Sequence, residues 1–274
     1  MKKFAALLLA FSMIFCFAAC KKDKTDTPAN PSVEAVTQKT EAMIYEEIKA
    51  EAGVEDNYHY NELKSEDGEV RFIVKVSLPK LTEATCDPNI ADAVNYYFDS
   101  KYYDAARSLG EANVENAKRQ MEEHGNTMPW SVQISYEIRY FDGNYLSVVL
   151  KYSMSYGGNV EPVLRTECIN LTDGSVCTSD EFLVDGVNEE TKGIVLQSIK
   201  DAALTQLNPD ENLTEEQLAK IDEIFDPATK FYITDRGIVF FFEKSSVVPA
   251  VKGTFEYEFL WNEIDYIYQI PSAE

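Results

Sequence analysis

Residues 70–78 alternate strictly, with Val70, Phe72, Val74, Val76 and Leu78 on one side and Arg71, Ile73, Lys75 and Ser77 on the other. A period of two with one apolar side predicts a strand with one buried face. Pro79 has no N–H to give to a ladder and predicts the strand's end or a sheet edge. The period then changes. Asp87-Pro88 is an N-cap followed by proline at the first helical position. Behind it Ile90, Val94, Phe98, Ala105 and Leu109 recur at helical spacing, so a long helix is predicted over 88–121, with Gly110 as a candidate break. Tyr96, Tyr97, Tyr102 and Tyr103 flank this stripe. A carbohydrate-stacking platform is one reading of them, and the amphipathic rim of a core helix is the favoured one.

Residues 131–141 carry Val132, Ile134, Tyr136, Ile138 and Tyr140 on one face and Ser131, Gln133, Ser135, Glu137 and Arg139 on the other. Asp142-Gly143-Asn144 then turns the chain into a strand holding Leu146, Val148, Leu150, Tyr152, Met154 and Tyr156 on one face. So short a connection requires an antiparallel hairpin. Gly157-Gly158 allows a reversal into a strand over 163–171, and Thr172-Asp173-Gly174 returns the chain again. The product is a meander of about four strands whose apolar face needs a helix laid on it.

Helices to supply that cover follow. Val195, Leu196, Ile199, Ala203 and Leu207 share one side of a helix capped near Asn188, and Thr214-Glu215-Glu216-Gln217 is a capping box opening a shorter helix that ends near Phe225. A strand at 231–234, a turn at Asp235-Arg236-Gly237 and the apolar run Ile238 to Phe242 come next. That run implies burial on both faces. Phe255, Tyr257, Phe259 and Trp261 then alternate as a last half-buried strand. The predicted class is α+β, with antiparallel meander sheets covered by one long helix and two shorter ones.

The N-terminus reads as a sorting signal. Met1-Lys2-Lys3 is a basic leader, residues 4–19 are uncharged and apolar, and Phe17-Ala18-Ala19-Cys20 resembles the lipobox of bacterial lipoproteins, with Phe17 in place of the usual leucine. The small side chains admit a signal peptidase, and the Cys20 thiol receives the diacylglyceryl group. The expected molecule is therefore extracytoplasmic and lipid-anchored to the bacterial cell membrane through Cys20. Its expected organisation is a signal over 1–19, a tether over 20–55, and two halves over 56–165 and 166–274. The tether includes a candidate helix, where Val36, Met43, Ile44 and Ile48 recur and Gly53 stops the run.

Composition adds a strong charge bias. Of 274 residues 47 are acidic and 25 basic, a formal charge of −22, and losing Lys2 and Lys3 with the signal leaves 23 basic residues and −24. Such a field repels nucleic acid and anionic lipid and attracts cationic partners, although the favoured reading is that the acidic residues simply keep a secreted domain soluble.

The run Tyr156-Gly157-Gly158, the strand to Thr172-Asp173-Gly174, and Ser179-Asp180-Glu181-Phe182 are followed later by residues 231–242 and by Val248-Pro249-Ala250-Val251-Lys252-Gly253. Over about 70–264 this order resembles the extracellular module of RsiV-type anti-sigma factors, which sense lysozyme. The same module is found beside the catalytic domain of PdaC-type peptidoglycan deacetylases. The resemblance implies a binding or sensing module, with lysozyme as the cationic partner it suggests. Asn159-Val160 stand where many relatives have Ala-His, so no histidine role carries over. Only three residues precede the apolar run, so a sigma-binding segment is not expected.

Candidate chemistry is sparse. His59 and His124 sit in polar settings and read as surface residues; the nucleophile-elbow, metalloprotease, phosphate-loop and dinucleotide motifs are missing. Glu256 and Glu258 on one strand face read as solvated. Asn208-Pro209-Asp210-Glu211-Asn212 lacks the glycine of a calcium loop. No catalytic residue, metal or cofactor is assigned. Cys168 and Cys177 flank the 172–174 turn and form a candidate disulfide: a three-residue loop puts them on opposite faces and a two-residue loop on the same face. Cys86 reads as a free thiol. Binding is expected rather than catalysis, with a peptidoglycan-modifying enzyme or accessory subunit as the alternative and a structural subunit of an envelope assembly as a third reading.

Overall fold

The computed structural model describes residues 40–125, 127–158, 160–207, 213–248 and 251–270. The signal segment, Cys20, Asn159 and residues 208–212 lie outside the described residues. The candidate helix of the tether is present as α1 (Glu41–Glu51), and the chain leaves it through Gly53, whose φ of 64° only glycine adopts without strain. Two strands follow, β1 (Glu55–Lys64) and β2 (Val70–Lys80), paired antiparallel. The alternation forecast for β2 is borne out, since Phe72, Val74, Val76 and Leu78 are wholly buried. β1 was not anticipated. Its sequence EDNYHYNELK has no apolar face, and it is held as a strand by its ladder to β2 rather than by hydrophobic periodicity.

The long helix runs continuously over 88–124 as α2 (Pro88–Phe98), a π-helical turn (Asp99–Asp104) and α3 (Ala105–His124). Asp87 caps it as predicted, its carboxylate accepting the Asn89 N–H at 2.8 Å. The buried side departs from the forecast stripe: Ala91, Val94, Phe98, Tyr102, Ala106, Gly110, Val114, Ala117 and Met121 face inward, whereas Ala105 is exposed. A π-turn takes more residues per revolution than an α-turn, so it advances the inward stripe by one position. Gly110 does not break the helix. A Cβ there would stand 2.6 Å from Leu63 Cδ1 and 3.0 Å from the Phe72 ring, so glycine lets α3 lie close on β1 and β2.

After the helix come β3 (Trp130–Phe141), β4 (Tyr145–Ser155) and β5 (Val163–Asn170), antiparallel neighbours as predicted. The sheet order is β1-β2-β3-β4-β5. Two corrections apply. β2 and β3 are parallel, because the long helix carries the chain back over the sheet between them, so the sheet is mostly and not wholly antiparallel. The expected fourth meander strand is a single bridge, Ile169 to Val176. Pro79 sits inside β2, past the last β2–β3 ladder pair, where the missing N–H disturbs no hydrogen bond to β3.

The long helix covers one face of this sheet, and α1 packs on β3. The shorter helices serve elsewhere. α4 (Glu189–Gln206) and α5 (Glu215–Ile224), opened by the predicted Thr214–Gln217 capping box, pack on a second, antiparallel sheet. Its strands are β6 (Phe231–Ile233), β7 (Gly237–Glu243) and β8 (Thr254–Leu260). β7 is buried on both faces. Phe240 and Phe242 enter the helix side, while Val239 and Phe241 join Val149, Leu164 and Tyr232 between the two sheets. Each such side chain contributes about 1.5–3 kcal/mol by leaving water. Trp261 does not extend β8; it opens α6 (Trp261–Ile264) and donates its indole N–H to the Thr234 carbonyl at 3.2 Å. No described helix is long and apolar enough to cross a membrane.

Candidate functional site

Two clefts flank the place where the sheets meet. The first lies between α1, β3, β6 and β8 and encloses about 280 Å³. The outward residues of β3 supply Arg139, whose guanidinium lies 4.0 Å from the Tyr45 ring and 5.5 Å from that of Tyr232. Arg139 also donates to the Tyr45 hydroxyl and, at 2.7 Å, to Glu137. The rim carries Glu41, Asp235, Glu256 and Glu258. Glu256 accepts the Tyr232 hydroxyl at 2.9 Å, and Glu258 is bound by Arg236. Both arginines are thus engaged, whereas Glu41 and Asp235 have no ion-pair partner among the described residues. Burial, then the charge of Glu256, raises the Tyr232 phenol well above its ordinary range, so it stays a neutral donor.

The π-turn builds the second cleft. Its six residues leave the α-helical register, so their side chains splay to two sides. Asp99 accepts the Asn57 side-chain amide at 2.9 Å and lies 3.1 Å from His59 Nε2, while the Tyr103 ring stacks on His59 at 3.8 Å. On the other side Lys101, Tyr102 and the preceding Tyr97 converge on Glu167 of β5, a carboxylate only 3% exposed. Tyr97 donates to Glu167 at 2.8 Å, Tyr102 donates as well, and Lys101 Nζ lies 2.6 Å away. Burial is the main reason the Tyr97 phenol is pushed up to about 12. Burial alone would depress the Lys101 ammonium, but its bonds to Glu167 and Tyr97 outweigh that and hold it above its ordinary value. Arg165, Lys230, Phe231 and Phe241 complete a cavity of about 280 Å³, with Cys168 and Cys177 also lining it.

The two cysteines are brought together. The Cys177 N–H donates to the Cys168 carbonyl at 2.7 Å and Asn170 N–H to the Ser175 carbonyl at 2.9 Å, so Cys168 and Cys177 stand directly opposite each other. The register has the parity of the two-residue alternative, with one further pair opened at the turn. Both are buried free thiols here. The bond to Cys177, then burial, holds the Cys168 thiol well above its ordinary range. Opposed residues of a ladder lie within disulfide reach. Oxidation is therefore expected to close this pair: in denaturant the peptide carrying both cysteines will resist alkylation until reduced, while Cys86 alkylates at once. The closed loop is expected to add about 2–3 kcal/mol to stability. Equal alkylation of all three before reduction would rule the pairing out.

Of the other residues singled out from sequence, His124 is exposed beside Gln120 at the end of α3. His59 is no bare surface residue, being stacked and hydrogen-bonded in the π-turn cluster. Glu256 and Glu258 do share an open face, but both hold partners. The rim reading of the tyrosines suits Tyr97 and Tyr103, while Tyr102 is core. Glu167, Lys101 and Arg139 were missed. A glutamate within a strand's polar alternation gives no sign of burial, and the π-turn that selects Lys101 has no signature in spacing. Among the described residues no group of three or more His, Cys, Asp or Glu side chains could hold a metal ion.

Fold and clefts together define an α+β protein of two stacked sheets, with clefts lined by tyrosines and charged groups. Residues 180–262, which carry α4, α5 and β6 to β8, match the family described as a protein of unknown function (DUF3298). Among solved structures, a DUF3298 family member from Bacteroides fragilis is 15% identical, covering 79% of this chain and 93% of its own, with a TM-score of 0.43. A DUF3298 family protein from Pseudomonas aeruginosa is 12% identical over 79% of this chain and 94% of its own, with a TM-score of 0.48. No curated protein matches the chain.

Proposed function

We propose that this chain is an extracytoplasmic binding module, lipid-anchored at Cys20, whose carboxylate-rimmed cleft receives a cationic side chain of a basic protein. The observation that carries the reading is the placing of Glu41 and Asp235, unpaired among the described residues, on the rim of a cleft whose own Arg139 is already held by Tyr45 and Glu137. Carboxylates at a rim steer a cation inward and pair with it there. The acidic excess of 47 over 25 residues adds long-range attraction of the same sign. Resemblance to the RsiV-type module supplies lysozyme as the first partner to try, and the lipobox-like run at 17–20 supports the anchor.

Calorimetric titration of the protein with lysozyme tests the partner. Binding is expected to weaken steeply with added salt, and Glu41→Gln with Asp235→Asn is expected to weaken it roughly threefold to tenfold, as two exposed charges allow. These positions are exposed, so the variant keeps its fold. Salt-independent binding, or none, removes this partner. The intact mass of the membrane-extracted protein tests Cys20 separately, since an unacylated mature chain removes the anchor.

A further inference from the structure

The cavity beside the π-turn reverses the sign of the chain. Three cations line it, Lys101, Arg165 and Lys230, against one carboxylate, Glu167, which Lys101 and two tyrosine hydroxyls already hold. Arg165 and Lys230 make no ion pair among the described residues, and the guanidinium of Arg165 donates only to the Leu164 carbonyl, at 3.2 Å. Glu243 faces both from a distance and Asp226 faces Lys230, yet neither comes within ion-pair reach. Burial, and next the nearby Arg165 charge, depresses the Lys230 ammonium. Two cations held near each other in a half-buried site are mutually destabilising, and an anion between them relieves both. β5 is the edge strand of its sheet, so the cavity wraps its edge; Phe231 and Phe241 of the second sheet lie almost wholly buried beneath its floor, and Val176, 41% exposed, is its open apolar wall.

We propose that this cavity binds a small organic anion, a carboxylate or phosphate on an apolar body. Arg165 and Lys230 take the charged oxygens, and the exposed Val176 side chain, with the edges of Phe231 and Phe241 beneath it, takes the body. A guanidinium receives two oxygens of such a group at once, which a bulk acidic surface cannot do. The site is separate from the carboxylate-rimmed cleft and stands or falls without it.

Calorimetry with three probes is the test: phenyl phosphate, inorganic phosphate and benzylamine, titrated into the full chain and into Arg165→Gln/Lys230→Gln. Phenyl phosphate is expected to bind about tenfold more tightly than inorganic phosphate, because the ring leaves water. The double variant is expected to weaken it at least about tenfold, the loss of charge-assisted hydrogen bonds, whereas any benzylamine binding, which belongs to the carboxylate-rimmed cleft, is expected not to be weakened by it. Arg165→Gln alone, at an exposed position, serves as the second variant and is expected to give part of that loss with unchanged thermal unfolding. Phenyl phosphate binding that ignores both substitutions, or that is missing altogether, overturns the proposal. Equal affinity for the two phosphates overturns its apolar half.

Discussion

Phe240→Ala is expected to lower stability by about 3–5 kcal/mol, the cost of deleting a wholly buried aromatic from a core that closes only partly over the gap. Phe240 is 0% exposed. Its ring lies 6.0 Å from Phe225 of the α5 end, 6.0 Å from Phe259 of β8 and 5.8 Å from Tyr268, so one truncation removes contacts to three segments. The second sheet has only three strands, and the shortest, β6, pairs through three residues. Little else in that layer can take up the loss. Urea unfolding followed by tryptophan fluorescence and by far-ultraviolet circular dichroism reads the effect. A fall in midpoint with unchanged slope is expected; a loss below about 1 kcal/mol, the range of a surface substitution, would contradict the packing assigned to β7.

Lys101→Met is expected to cost about 3 kcal/mol at neutral pH. The substitution keeps the aliphatic stem and removes the charge, leaving Glu167, 3% exposed, with two phenol donors and no cation. Removing one member of a buried pair strands the other, and the figure stays at the low end of the usual range because Lys101 is itself 47% exposed. The sign with pH follows from the ammonium. Burial opposes it, but the bonds to Glu167 and Tyr97 hold Lys101 above its ordinary value, so its contribution is fully present at neutral pH and is lost as pH rises through that raised value; the deficit of the variant narrows in strong alkali. Lys101→Met combined with Glu167→Gln is expected to recover most of the loss, since a neutral amide still accepts the tyrosine hydroxyls. Chemical denaturation of wild type, single and double variants across pH checks all three statements. A pH-independent deficit, or a double variant worse than the single, would show that Lys101 acts through packing alone.

Most of the secondary structure was legible because it rests on short-range chemistry. β2 and β3 show their buried faces in a period of two, Asp87-Pro88 and Thr214–Gln217 show helix starts through the backbone donors they satisfy, and the Phe-rich run shows β7. β1 was not legible. It has no apolar face, and its place depends on β2 offering an edge, on α3 coming close enough at Gly110 to meet Leu63, and on Asp99 and Tyr103 of the π-turn covering Asn57 and His59. The assignment of helices to sheets was also hidden. α4 and α5 carry one apolar side each, but an apolar stripe does not say which sheet it meets.

The candidate clefts were the least visible part. Their members come from residues far apart in the chain: Tyr45 with Arg139 and Tyr232, and Lys101 with Glu167 and Lys230. Nothing in local spacing links a lysine in a helix to a glutamate in an edge strand. By itself the sequence determined the α+β class, the turns, most strands and helices, the charge bias and the adjacency of Cys168 and Cys177 to one turn. Tertiary structure alone decided the parallel pairing of β2 with β3, the burial of Glu167 and the one-residue shift of the long helix at its π-turn. The physical reason is range. Alternation, capping and turn chemistry act over a few residues and are written along the chain. Register between distant strands, and the face a helix presents after a π-turn, are set by how whole layers pack, and no short segment records that.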